Sequence, residues 1–362
     1  MQYGQYQGVS FSGSSGNINN TDPNEIIRKI EKRSLRRTST ELGFFILFYF
    51  LMMTEASGIL SNYISESGVV TAENSRILTF LMQIAAALVS PLLAAVFYRL
   101  ISRGRSKVYL PKSHVEFKTL VPLILLGMGA AMVANNLANM FDSNISLFML
   151  ENSARFSRAT KTVPEILLYA LSTAVVPAFA EEFAFRGILM GTLRKYGDAF
   201  AILASSVMFG AMHGNTTQIV FAFILGLIFA FVDCKANSIV PSIIIHFLNN
   251  FHSVVIDLMN SSRTITKESV LIIYNAEVIM FCLLGILSFI YFSLKDKMFF
   301  KVSNSDKNSF SHTDVLTLKE KCKSFFTSVG IIISLGLFFL EMVFYLLPPE
   351  TQKQVIKVIS FE

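Results

Sequence analysis

The sequence predicts an all-α, polytopic transmembrane helical bundle of about nine spans, on three observations. Hydrophobic residues make up 52% of the 362-residue chain and charged residues only 15%, against about 25% charged in soluble domains. Mean hydropathy is positive. Long, nearly uncharged apolar runs recur along the chain, each about the length a helix needs to cross a bilayer.

Residues 1–24 are rich in Gly, Ser, Asn, Gln and Tyr and have no apolar periodicity, so they read as disordered. They lack the basic-then-apolar plan of a cleavable signal peptide. A basic run from Arg28 to Arg37 follows. Residues 1–40 are therefore expected to form a disordered, basic cytoplasmic tail, and residues 41–362 a helical membrane domain with its catalytic core at 165–258. Helices are predicted near 43–63, 77–101, 119–141, 165–196, 198–213, 215–233, 238–259, 270–294 and 325–347. Phe148, Leu150 and Phe156 space the mixed segment 142–164 as an interfacial helix. Segment 296–324 reads as a basic loop. No internal repeat and no second globular domain is visible.

Three cysteines, Cys234, Cys282 and Cys322, are too few, odd in number and wrongly spaced for a disulfide framework or a thiolate metal site. The net charge of +6 finds its use in orientation rather than in nucleic-acid binding. With the N-terminus inside, 23 Lys and Arg fall on inner segments and eight on outer ones. That asymmetry predicts a cytoplasmic N-terminus and an odd number of spans.

Ionisable groups inside a bilayer cost about 2.5–3.5 kcal/mol each on insertion scales and need a reason. Glu55, Glu181, Glu182, His213, His246, Glu277 and Glu341 all fall in apolar segments. In Glu181-Glu182-Phe183-Ala184-Phe185-Arg186-Gly187, Glu182 and Arg186 are four apart and share a helix face. Arg186 can therefore neutralise Glu182, leaving Glu181, about 100° round the helix, without that partner. In Phe209-Gly210-Ala211-Met212-His213, the Phe209 ring lies one turn before the imidazole and can pack on it. In His246-Phe247-Leu248-Asn249-Asn250, His246 and Asn250 share a face, and Pro241 suits the first turn of their helix.

Each stretch alone has a plainer reading. The glutamates could mark a helix end reaching water, His213 a core histidine bonded to a carbonyl, and His246 with Asn250 polar glue between helices. Their mutual placement argues for more. Gly197 is the natural turn between two antiparallel helices, with Glu181 and His213 equally far on either side. His246 enters at a comparable level if the 187–197 turn projects beyond the membrane face. A carboxylate, two imidazoles and a carboxamide can then meet in one wet pocket near the cytoplasmic side. Such a set can draw a proton from water and steady an oxyanion, which is the apparatus of amide hydrolysis without a Ser or Cys nucleophile.

The ordered trio Glu-Glu-x-x-x-Arg, Phe-x-x-x-His and His-x-x-x-Asn resembles the CPBP family. This family comprises the type II CAAX prenyl endopeptidases and the bacteriocin-processing or bacteriocin-immunity (Abi) membrane proteins. The resemblance covers roughly 165–255. It implies an intramembrane endopeptidase of the glutamate or metallo type, acting on a membrane-associated peptide or protein in a bilayer, with no nucleic-acid partner. It implies Glu181 as general base, His213 as its partner on the water, and His246 with Asn250 as the oxyanion hole. Glu182, Arg186 and Phe209 would support them. No cofactor is required by this inventory, although two His and a Glu make zinc possible as an open three-ligand site. A bacterial plasma membrane is the expected location. The other readings of the same residues are a transporter or channel, suggested by Glu55, Glu277 and Glu341, and a non-catalytic scaffold or bacteriocin-immunity protein.

Overall fold

In a computed structural model the described residues are 23–66, 75–104, 113–146, 162–214, 216–262, 264–302 and 315–348, with 350–352 and 354. Ten helices carry the fold: α1 (Pro23–Glu66), α2 (Ser75–Ile101), α3 (Phe117–Ser146), α4 (Val163–Tyr196), α5 (Asp198–Ala211), α6 (Thr216–Ala236), α7 (Val240–Ser261), α8 (Lys267–Lys295), α9 (Leu318–Phe326) and α10 (Val329–Leu346).

Every apolar segment expected to be a helix is one, and among the described residues seven helices are long and apolar enough to cross a membrane, α2, α3, α4, α6, α7, α8 and α10, so the count of nine is not confirmed. α5 has 14 residues, about 21 Å against a hydrocarbon core of about 30 Å. Outward-facing Leu271, Ile279, Leu283 and Leu287 on α8 are each more than half exposed. Such a face has no place in water and fits lipid.

The basic tail differs from expectation. Residues 23–40 belong to α1 rather than to a disordered segment, and Leu35 and Ser39 are fully buried. Arg28 donates to Glu320 on α9, and Ser34 and Thr38 reach the Tyr196 hydroxyl. The Arg28 guanidinium, with the capping bonds of Thr317, holds the Glu320 carboxyl down at about 2. Part of the expected 296–324 loop is likewise helical: α9 opens with a capping box between Thr317 and Glu320. Residues 1–22, most of the expected interfacial helix 142–164 and the Glu55 side chain lie outside what is described.

α1 packs between α2 and α10, and α3 between α6 and α8. α5 and α6 form a tight hairpin, and α4 lies against α2, α5 and α7. Close approach depends on glycine where helices touch. A Cβ on Gly43 of α1 would fall 2.2 Å from the Gly330 carbonyl carbon of α10, so neither residue tolerates a side chain without separating the helices. This arrangement surrounds the middle of α4 with the ends of α5 and α7.

Candidate active site

α4 carries the two glutamates, and it is not a uniform helix. Thr162 and Glu165 form a capping box at its start. It then widens into π turns at Leu171–Val175 and Phe183–Met190, on either side of the glutamates. Pro177 explains part of this. A proline has no N–H to give the carbonyl four residues back, here Thr173, and its ring crowds that carbonyl. The orphan is satisfied from another helix: Asn250 Nδ2 donates to the Thr173 carbonyl at 3.1 Å. π turns of this kind are frequent at functional sites.

Glu182 is fully buried and held through its Oε1. Its Oε1 accepts from His246 Nδ1 at 2.8 Å and from Arg186 Nη1 at 3.3 Å, and its Oε2 lies 3.1 Å from Arg186 Nε. Arg186 also donates to the Gly226 carbonyl of α6. Its guanidinium sits 4.2 Å from the Phe209 ring centroid and 5.2 Å from that of Phe229. The same two rings hold His246: Phe229 stacks on it at 5.3 Å and Phe209 meets it edge-on at 6.1 Å. Breaking this buried unit would leave a charge uncompensated in a dry interior.

Glu181 is different. It is 9% exposed, and its Oε2 has no hydrogen-bond partner among the described residues. The nearest charged-group contact is His246 Nε2, at 4.0 Å. His213, at the C-terminal end of α5, donates Nδ1–H to the Phe209 carbonyl at 2.8 Å and packs edge-on against the Phe209 ring. That bond leaves Nε2 as its open nitrogen. Phe209 packs against both imidazole rings, which places His213 and His246 on the same aromatic wall. The hairpin turn between Glu181 and His213 is made by Gly197, at φ 111°, a conformation natural to glycine.

The structure thus brings Glu181, Glu182, Arg186, Phe209, His213 and His246 together. Asn250 stands beside them with its amide turned to Thr173, and Asn249, the more buried of the pair, donates to Asn250 Oδ1 at 3.3 Å. Sequence reading missed Asp233. This fully buried carboxylate accepts from the Ser242 amide at 3.0 Å and the Ser242 hydroxyl at 2.6 Å. It caps α7 from the end of α6, one turn before His246. An acid in the last turn of an apolar helix, just ahead of Pro241, was the signal. Phe229 and Gly226 were also missed, because their spacing from the motifs is not local. Of the remaining intramembrane acids, Glu277 pairs with His252 at 3.0 Å, and Glu341 lies against Gly214, next to His213.

Zinc needs three donors converging on one point. Each imidazole does fix its Nδ1 and leave Nε2 open, as metal-bound histidines do. Among the described residues, however, no three His, Cys, Asp or Glu groups are close enough together to hold one ion. The described donor set does not converge on one ion.

Fold and site define a polytopic helical membrane protein whose bundle encloses a glutamate–histidine centre. Residues 163–252 match the family described as type II CAAX prenyl endopeptidase Rce1-like, and this segment contains all of the expected site residues. The chain is also 30% identical over 120 residues to "Putative membrane peptidase YdiL" of Bacillus subtilis (strain 168), a match covering 33% of this chain and 48% of that protein. The chain thus spans about half the length of this curated relative. Both findings support the CPBP family for the core segment. No solved structure matches.

Proposed function

We propose that the protein is an intramembrane endopeptidase that hydrolyses a peptide bond of a membrane-associated peptide or protein with water activated by Glu181. The observation that carries this reading is the division of labour between adjacent carboxylates. Glu182 is held by Arg186 and His246 through its Oε1, while no side-chain hydrogen bond holds Glu181 Oε2, which lies 4.0 Å from His246 Nε2.

In this reading a water lies between Glu181 and His213. Glu181 takes one of its protons as the water oxygen attacks the carbonyl carbon, and the carbonyl π electrons move onto oxygen. Nε2 of His246, when it carries a proton, and the second N–H of Asn250 stabilise that oxyanion, a kind of contact worth about 10²–10³ in rate per donor. Glu182 accepts from Nδ1 and balances the ring's charge meanwhile. The tetrahedral intermediate collapses, the C–N bond breaks, and Glu181 passes its proton to the leaving amine. The buried position of the site, within a bundle that turns apolar side chains outward, suits a substrate that arrives through the bilayer. The chain then sits in a bacterial plasma membrane with its N-terminus cytoplasmic.

Two quenched-fluorescence peptides in detergent test this, one farnesylated at a C-terminal CAAX cysteine and one a non-prenylated hydrophobic segment. Wild-type protein should cleave at least one of them, and Glu181→Gln should not. Equal turnover by the two proteins would remove the assignment. Ligand or partner binding that survives in a Glu181→Ala, His213→Ala double mutant, with no cleavage by wild type, would favour the scaffold reading.

A further inference from the structure

Each peptide bond that is hydrolysed consumes one water, so a centre enclosed by apolar helices needs a path to bulk water. Burial around Glu181 and His246 is lopsided. Towards the Gly197 turn, Ala184, Phe185, Ile188, Leu189 and Leu193 of α4 are fully buried. The residues of α7 that precede His246 are closed in as well: Ser242 and Ile245 are fully buried, and Ser242 is bonded to the buried Asp233. In the other direction α7 opens. Asn250 is half-buried, and Ser253 and Asp257 are exposed.

His246, Asn250, Ser253 and Asp257 are four, three and four residues apart and fall within about 60° of one another around the helix. They form one polar stripe from the site towards the end of α7 at Ser261. Two of them meet α4: Asn250 Nδ2 donates to the Thr173 carbonyl at 3.1 Å, and the Tyr169 hydroxyl donates to Asp257 Oδ2 at 2.7 Å. Such bonds hold α4 against α7, but polar glue between membrane helices is buried, and this stripe is not. Ser253 donates its hydroxyl to the Asn249 carbonyl of its own helix, so it joins nothing across the seam. An exposed carboxylate and an exposed hydroxyl on a spanning helix are costly against lipid and at ease in water. Asp257 is about 6 Å from the end of α7, Ser253 about 12 Å and Asn250 about 16 Å, so the opening continues inward from the helix end. The lipid-facing side of α8 is the contrast: its exposed Ile279, Leu283 and Leu287 are all apolar.

We propose that the seam between α4 and α7, along Asn250, Ser253 and Asp257, is the route by which bulk water reaches Glu181. Water enters at the end where α4 begins and α7 stops, and the packed residues around the Gly197 turn close the opposite end. The use of this water in a reaction rests on the hydrolase reading above; the wetness of the stripe does not.

The test uses Ser253→Cys, Asp257→Cys and Leu283→Cys in the full-length protein, reconstituted in liposomes. A methanethiosulfonate reagent with a fixed trimethylammonium charge is supplied on both faces. Labelling is followed by mass, with wild type as the background for Cys234, Cys282 and Cys322. The Ser253→Cys protein should label at least about tenfold faster than the Leu283→Cys protein, because a thiol ionises to the reactive thiolate in water and not in apolar surroundings. Once labelled, it should lose most of its turnover of the same two peptides. Labelling of Ser253→Cys no faster than that of Leu283→Cys overturns the proposal. So does full turnover by completely labelled Ser253→Cys protein. If Ser253→Cys does not fold, Asp257→Cys is read by the same two outcomes. Slow labelling in an active protein removes this inference alone. Fast labelling with no turnover of either peptide by unlabelled wild type removes the hydrolase reading, and the supply of water to a reaction with it.

Discussion

Glu182 Oε1 accepts from His246 Nδ1 at 2.8 Å across the interface of α4 and α7, and the same carboxylate neutralises Arg186 one turn along its own helix. Its neighbour Glu181 makes no comparable bond. Of two residues adjacent in sequence, one is thus tied to a neighbouring helix and the other is not.

That division separates the two substitutions. Glu182→Ala leaves Arg186 buried and unpaired, a loss of about 3–5 kcal/mol for buried ion pairs of this kind. Its thermal midpoint in detergent should fall sharply. Glu181→Gln removes no hydrogen bond and should melt within a degree or two of wild type by this argument. A fall as large as that of Glu182→Ala would show Glu181 to be structural too.

Asn250 should act on stability through Thr173. Asn250→Ala leaves the Thr173 carbonyl without a donor, at a cost of about 1–3 kcal/mol. Pro177→Ala restores the N–H that the proline lacks. In the double mutant, Pro177→Ala should therefore return much of the lost stability, which a double-mutant cycle by denaturant unfolding measures. Strict additivity of the two substitutions would show that Pro177 and Asn250 do not share that carbonyl. Activity should remain low in the double mutant, since the carboxamide is still missing.

Asp233→Ala should damage the site without touching it. The Ser242 amide loses its acceptor and the hydroxyl keeps only the Ile239 carbonyl, and a lost cap of this type costs about 0.5–2 kcal/mol. The start of α7 loosens and His246 with it, so kcat should fall by more than the change in folded fraction. Asp233→Asn keeps one acceptor oxygen and should lie between Ala and wild type. Equal turnover by all three would detach this cap from the chemistry.

Chelation is a further check. Prolonged treatment with EDTA or 1,10-phenanthroline should leave peptide turnover unchanged, since the donor set does not converge on one ion. Loss of turnover that zinc restores would mean that Glu181 and the imidazoles move together around a metal.

Much of this was legible in the sequence, for physical reasons that can be named. Charge-free apolar runs located the helices because lipid admits little else. The i, i+4 relation between Glu182 and Arg186 gave their pairing, and Gly197 the hairpin that levels Glu181 with His213. Two things were hidden. Residues 23–40 are polar enough to look like a tail, yet α1 continues through them because Leu35, Ser34 and Thr38 are buried against or bonded to the rest of the fold, which no local pattern shows. Asp233 reaches the start of the His246 helix only through tertiary packing. The π turns around the glutamates were likewise silent, although Pro177 pointed to a disturbed Thr173 carbonyl.

The most direct measurement is turnover of the two peptides by purified Glu181→Gln protein that has been shown to be folded, set beside wild type. The account predicts a loss of about a hundredfold or more in kcat, as for removal of a general base, at an unchanged thermal midpoint. Wild-type kcat in that mutant would contradict it.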